Sequence, residues 1–168
     1  MRGRVVRFPP APGLRPTPDR VRETLFNWLG QRLDGKRCLE PYGGTGVLSL
    51  EALSRGAILA VVIERQRQLA DALRATAETF GATGLEVRCD DARSWLLRET
   101  RSFDVIFLDP PFAEDPWEWL LPACTARLAP EGRLYVEARR EVVPGPDLEL
   151  LRHDTAGQVH YHLLARGP

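Results

Sequence analysis

The 168-residue chain predicts an α/β fold on a mostly parallel, seven-stranded sheet, and three features carry that expectation. Short apolar runs alternate with stretches of helical periodicity. The runs are continuously apolar rather than alternating, as strands covered on both faces are. The tail then breaks the rhythm. LELLRH and QVHYHLLA are joined by DTAG, which leaves no room for a crossover helix, so they are expected to form an antiparallel C-terminal hairpin.

RVVRF (4–8) reads as a short strand ahead of the proline-rich PPAPGLRPTP. Thr17 is the expected N-cap, Pro18 the first helical position and Asp19 the first-turn acid of a helix over 18–30, with Val21, Leu25, Trp28 and Leu29 as its apolar stripe. Strand KRCLE (36–40) then leads to a helix over 46–55 that Gly56 ends. ILAVVIE (58–64) leads to a helix over 65–80, with Leu69, Leu73, Thr76 and Phe80 on one face and Gly81 as the stop. LEVRC (85–89) leads to a short helix at 91–98, FDVIFLD (103–109) to a helix at 116–128, and RLYVEA (133–138) completes the parallel set.

Length and composition, 43% hydrophobic and 27% charged, fit one globular domain, read as a basic arm at 1–16 followed by a domain at 17–168. No apolar run is long enough for a membrane span, and MRGRVVRFPP has no apolar signal core, so a cytoplasmic protein is expected. Cys38, Cys89 and Cys124 are scattered and read as buried small hydrophobes rather than metal ligands or disulfide partners. The net charge is zero, yet residues 1–30 hold six arginines against two acids, a net of +4. Arginine suits phosphate recognition, which points to a polyanionic partner near the N-terminus. Genome composition produces the same arginine richness, so charge alone does not decide.

Ligands of open α/β sheets sit at the carboxyl ends of the strands, near the point where strand order reverses. Three such ends carry candidates. LEPYGGTG (39–46) follows Glu40 with a glycine-rich turn that lacks the Lys-Ser/Thr of a P-loop and the third glycine of the dinucleotide fingerprint. Such a turn is also a common structural device. Glu64, ending the second strand, can accept hydrogen bonds from two ribose hydroxyls, or complement the dipole of the helix that follows. Asp91 can receive an adenine amino group, or serve as an ordinary N-cap. Together the three ends suit an adenosine-containing cofactor. The fourth end is FLDPPF (107–112). Proline removes two backbone donors and holds Asp109 extended, so Asp109 and a proline carbonyl are presented as acceptors, and Phe112 as a ring on which a base can stack.

DPPF (109–112) after an apolar strand resembles the catalytic motif of amino-directed nucleic-acid methyltransferases. GLRPTPDRVRETLFNWL (13–29), GGTGVLSLEALSRGA (43–57) and AGQV.Y.L (156–163) extend the resemblance to the RsmD family over nearly the whole chain. The family's cofactor loop usually reads Asp-x-Phe-x-Gly-Ser-Gly. Glu40, Tyr42 and Thr45 replace its Asp, Phe and Ser and keep the chemical type. The resemblance implies a Rossmann-like class I S-adenosylmethionine-dependent methyltransferase acting on N2 of a guanine in 16S rRNA. It implies catalytic Asp109, Pro110, Pro111 and Phe112. It implies cofactor contacts from Thr17, Glu40, Tyr42, Gly43, Gly44, Thr45, Gly46, Glu64, Arg65, Asp91, Ala92 and Asp109, and no metal. Arg2, Arg4, Arg7, Arg15, Arg20 and Arg22 become RNA contacts. The substrate is then naked 16S rRNA or a partly assembled 30S subunit, whose ribosomal proteins would complete the docking surface that one basic arm leaves open, and nothing requires more than a monomer.

Other readings remain beside this one. An amino-methyltransferase acting on adenine N6 or on a protein glutamine would use the same motif, more often with Asn in place of Asp109. A non-catalytic nucleotide- or RNA-binding module has no need of DPPF, and a nicotinamide oxidoreductase lacks it. His153, His160 and His162 read as an exposed polar face of the hairpin. Trp117 and Trp119 read either as a lid or as packing for the next helix.

Overall fold

The computed structural model describes residues 18–168. The expected arm at 1–16, its short strand, Thr17, Arg2, Arg4, Arg7 and Arg15 lie outside the described residues. Chain order runs α1 (Asp19–Trp28), β1 (Arg37–Glu40), α2 (Val47–Ser54), β2 (Leu59–Ile63), α3 (Arg67–Phe80), β3 (Leu85–Arg88), α4 (Ala92–Arg98), β4 (Phe103–Leu108), α5 (Trp117–Thr125), β5 (Leu128–Ala138), β6 (Leu148–Ala156) and β7 (Val159–Arg166). One seven-stranded sheet has the order β3-β2-β1-β4-β5-β7-β6. β1 to β5 are parallel, and β7 runs antiparallel to both β5 and β6. The predicted sheet and hairpin are therefore present.

Alternation along the buried strands sends successive side chains to opposite layers. Cys38, Ala60, Val105, Phe107, Tyr135 and Tyr161 meet Val21, Leu25 and Phe26 of α1 and Leu48 and Ala52 of α2. Val62 of the same layer meets Leu73 of α3. Leu39, Val61, Ile106, Leu134 and Val136 meet Trp95 of α4 and Trp117, Leu120 and Cys124 of α5 on the other face. Trp117 is thus core, which resolves one of the two tryptophans. Cys38 and Cys124 are fully buried, and burial pushes the Cys38 thiol up to about 12. Cys89 is only half-buried, with Sγ 3.6 Å from the Arg65 carbonyl, so the expectation of three buried cysteines holds for two.

Three local expectations are corrected. The helix expected over 116–128 ends at Thr125, and β5 begins at Leu128, earlier than 133. Leu128 falls at helical spacing from Leu121 and Cys124 and joins their cluster, yet it arrives there on a strand paired with Phe103. The β4–β5 ladder skips from Phe103↔Leu128 to Val105↔Arg133, and Pro130, which cannot donate to a ladder, lies in the skipped stretch. The hairpin turn is also shorter than DTAG. Asp154 and Thr155 still pair with Tyr161 and His160, and only Gly157 and Gln158 separate the paired Ala156 and Val159. Gly157 has φ +59°, the left-handed conformation that two-residue turns require.

The third correction concerns the histidines. His162 is fully buried, pairs across from Val136 and stacks on the exposed His153 with ring centroids 4.7 Å apart. Its Nε2 accepts the Val142 N–H at 3.0 Å, so Nδ1 carries the proton donated to the Val136 carbonyl at 3.2 Å. A neutral imidazole therefore holds the segment after β5 against the sheet, and burial lowers its pKa below the ordinary 6.5. The unfolded chain takes up a proton that the folded chain refuses, so stability falls as pH drops below 6.5. Replacing His162 by Gln keeps an acceptor and removes the titration. Urea melts at pH 7 and 5.5 should show a smaller acid loss in His162→Gln than in the wild type.

Candidate functional site

The strand order reverses between β1 and β4: β2 and β3 continue to one side, β5 to the other. Leu39 of β1 pairs with both Val61 and Ile106, so the carboxyl ends carrying Glu40, Glu64 and Asp109 emerge side by side. The sequence-predicted acids are brought together. Asp109 is half-buried at the tip, Pro110 is buried, and Pro111 and Phe112 are half-buried. The Glu114 N–H donates to the Pro111 carbonyl at 3.0 Å, closing a turn after the motif. That leaves the Pro110 carbonyl as the proline acceptor nearest Asp109.

The glycine-rich loop is tied by its own backbone. Gly43 N–H donates to the Ile63 carbonyl at 2.8 Å and Gly46 N–H to the Gly43 carbonyl at 2.7 Å. A Cβ on Gly43 would sit 2.4 Å from Val62 Cγ1 and 3.1 Å from the Ile63 carbonyl oxygen, so only glycine lets the loop lie on β2. Gly46 caps α2 at φ +68°, with Leu73 where a Cβ would go. Thr45 is buried, with Oγ1 3.4 Å from the Val47 N–H, and Tyr42 is half-buried against the core, its phenol pushed up first by burial and then by Glu114.

Glu40 is buried, and its Oε1 accepts Ser49 Oγ–H at 2.6 Å and Ser49 N–H at 3.3 Å. Burial, followed by Asp109 and Glu64 nearby, outweighs the Ser49 bonds and raises Glu40 to about 8. Ser49 was not singled out in the sequence. A polar residue inside the apolar VLSLEAL is the signal that could have found it. Glu64 is also buried, with Oε2 accepting the Gly44 N–H at 2.8 Å and Oε1 the Gln66 N–H at 3.0 Å. A carboxylate has about four acceptor sites, so two backbone donors do not exhaust it.

Asp91 caps α4: its Oδ2 accepts Ser94 N–H at 3.0 Å and Ser94 Oγ–H at 3.1 Å, and these bonds lower its pKa. The N-cap reading is thus realised, on an exposed residue beside the buried Ala92. Arg65 is exposed, 3.6 Å from Glu114. Arg20 is exposed on α1, and Arg22 pairs with Asp19 at 3.0 Å. Two further residues went unnoticed in the sequence. Glu137 is fully buried on β5, one step beyond the Val136 that pairs with Leu108, and the Arg139 guanidinium sits 5.0 Å from the Phe112 ring centroid. Among the described residues, no group of three His, Cys, Asp or Glu side chains is arranged to hold a metal ion, and no helix is long and apolar enough to cross a membrane.

Residues 1–165 match the family described as Conserved hypothetical protein 95. The chain is 40% identical to Ribosomal RNA small subunit methyltransferase D of Escherichia coli K12, covering 98% of this chain and 86% of that one. The Haemophilus influenzae protein of the same name is 34% identical over 96% of this chain and 88% of its own length. The chain belongs to the RsmD family. The E. coli candidate methyltransferase yhhF, a solved structure, superposes with a TM-score of 0.85 at 40% identity, covering 94% of this chain and 90% of that one. SMU.776, solved in complex with SAH, shares the fold alone at 15% identity and a TM-score of 0.71, covering 86% of this chain and 48% of that one. The chain thus shares its Rossmann-like fold with these methyltransferases.

The raised Glu40 pKa has a measurable sign. Between the ordinary 4.5 and about 8 the unfolded chain is ionised at this residue while the folded chain keeps its proton. The associated stability is present below 4.5 and is lost as pH rises through about 8. Glu40→Gln retains an acceptor for Ser49 and cannot ionise. Chemical denaturation of the ligand-free protein from pH 5 to 9 should show the wild type losing stability relative to Glu40→Gln.

Proposed function

We propose that the chain transfers a methyl group from S-adenosylmethionine to the exocyclic N2 of a guanine in 16S rRNA. The adjacency of Glu40, Glu64 and Asp109 at the β1–β4 reversal is the observation that carries this reading. The two charges that raise Glu40 are both negative, Asp109 and Glu64. A corner of that sign suits a ligand with a sulfonium and an ammonium group. The relatives named for small-subunit rRNA methylation support the substrate class.

Thr17, Tyr42, Gly43, Gly44, Thr45 and Gly46 would wrap the methionine part, while Glu64, with acceptor sites to spare, would take the ribose hydroxyls. Asp91, Ala92 and Arg65 would border the adenine. Bound there, S-adenosylmethionine supplies an electrophilic methyl carbon on sulfur. The guanine amino nitrogen is a poor nucleophile because its lone pair is conjugated with the ring. Asp109 and the Pro110 carbonyl accept its two N–H bonds and aim the nitrogen along the C–S axis. As the N–C bond forms and the C–S bond breaks, the electron pair stays on sulfur. Asp109 then offsets the positive charge on nitrogen until the proton passes along their hydrogen bond to the carboxylate and on to solvent. Positioning and preorganised electrostatics account for this step with no covalent enzyme intermediate. Phe112 stacks on a base turned out of its surroundings, with Pro111 stiffening the link between them. Arg2, Arg4, Arg7, Arg15, Arg20 and Arg22 hold phosphates, on naked rRNA or on a partly assembled 30S subunit.

Asp109→Ala is expected to lower kcat by about 100- to 1,000-fold, the scale of losing one preorganised electrostatic partner. Cofactor affinity, measured by calorimetry, should fall far less. Nucleoside mass spectrometry of the treated rRNA should find N2-methylguanosine with the wild type. Near-normal turnover by Asp109→Ala, or N6-methyladenosine as the product, would count against the proposal.

A further inference from the structure

The residues after β5 carry a basic pair that the arm-based picture of RNA docking does not use. Arg139 and Arg140 follow the last residue of β5, and both are exposed. β5 runs parallel to β4 with Leu108 opposite Val136, so the chain leaving β5 emerges beside the chain leaving β4. Both arginines reach back to the segment that carries the DPPF motif. Arg139 lies over the Phe112 ring at 5.0 Å, and Arg140 Nη2 stands 2.8 Å from Asp115 Oδ1.

Neither contact is strong enough to be the arginines' final engagement. An exposed ion pair contributes about 0–1 kcal/mol, and an exposed cation–π contact about 0.5–1 kcal/mol. Both side chains of the Arg140–Asp115 pair are more than half exposed. A phosphate can replace the Asp115 carboxylate on Arg140 at little cost. Arg139 can stay stacked while the edge of its planar guanidinium donates to an anion, which a lysine ammonium cannot do. The charge balance adds a reason. Residues 18–168 carry 19 basic and 23 acidic side chains, a net of −4, so the body that holds the pocket repels a polyanion wherever no local basic group intervenes.

We propose that Arg139 and Arg140, distant in sequence from the N-terminal arginines, form an RNA-docking site of their own that receives the phosphates flanking the target base. Arg139 also acts as a positioning residue for Phe112. Asp115 occupies Arg140 until RNA displaces it. This rests on the reading of the substrate as rRNA.

Binding of unmethylated 16S rRNA is measured across about 50 to 200 mM salt, where each lost phosphate contact removes about 0.7–0.9 from the slope of log K against log salt. Arg139→Ala/Arg140→Ala should bind about tenfold more weakly with a slope shallower by about one to two. Its melting temperature and cofactor affinity should match the wild type. Asp115→Asn should bind RNA more tightly, because it frees Arg140. Arg139→Lys should keep the salt slope and lose kcat, through a less ordered Phe112. A purely structural latch predicts the reverse: Asp115→Asn and Arg140→Ala would lower the melting temperature alike, with the salt slope unchanged, and that result overturns the docking site. A wild type that does not bind 16S rRNA at all overturns the substrate reading instead.

Discussion

The whole site hangs on the side-by-side placement of β1 and β4 where the sheet reverses its strand order. The right-handed crossovers of an α/β sheet send β2 and β3 away on one side and β5 on the other, so only at this reversal do two loops part and leave a crevice. The glycine-rich loop comes from one lip and DPPF from the other. The arrangement has an electrostatic cost: three carboxylates converge where burial already disfavours charge, and Glu40 responds with a pKa raised to about 8. A cationic ligand bound in the crevice would relieve that strain.

The two lips differ in how firmly they are held. On the β1 side, the N–H groups of Gly43, Gly44, Gly46 and Ser49 all have acceptors, and Gly43 lies against β2 with no space for a side chain. On the β4 side, the segment after Pro111 is tethered by contacts of another kind: Arg65 to Glu114, Arg140 to Asp115, Arg139 over Phe112 and Arg93 over Trp119. Contacts of that kind are weak singly and sensitive to salt. A loop tied by its own backbone thus faces a segment whose exposed contacts are weak and salt-sensitive, anchored further on by Trp117 in the core.

Much of this was legible in the sequence because local chemistry and tertiary position agree. Continuous apolar strands fixed the sheet's parallel part, the lack of a crossover fixed the hairpin, and proline after Asp109 marked the tip of β4. The misses occur where one pattern serves two structures. Leu128 keeps helical spacing with Cys124 yet belongs to β5, because the core accepts a leucine from either element. His162 alternates with His160 as on an exposed strand, but the residues after β5 fold over it, a long-range event invisible to periodicity. The Glu40–Ser49 bonds and the stacking of Arg139 on Phe112 join residues nine and 27 positions apart, and no local pattern encodes such pairings.

The central claim is that the Asp109 carboxylate and the Pro110 carbonyl face the methyl group of a donor cradled by the β1 loop. A crystal structure with a bound, unreactive S-adenosylmethionine analogue tests it most directly. The sulfonium-side group should open toward Asp109 with room for a nitrogen at about 3–3.5 Å, and the ribose should lie on Glu64. A donor seated elsewhere, or one separated from Asp109 by protein, would contradict the claim.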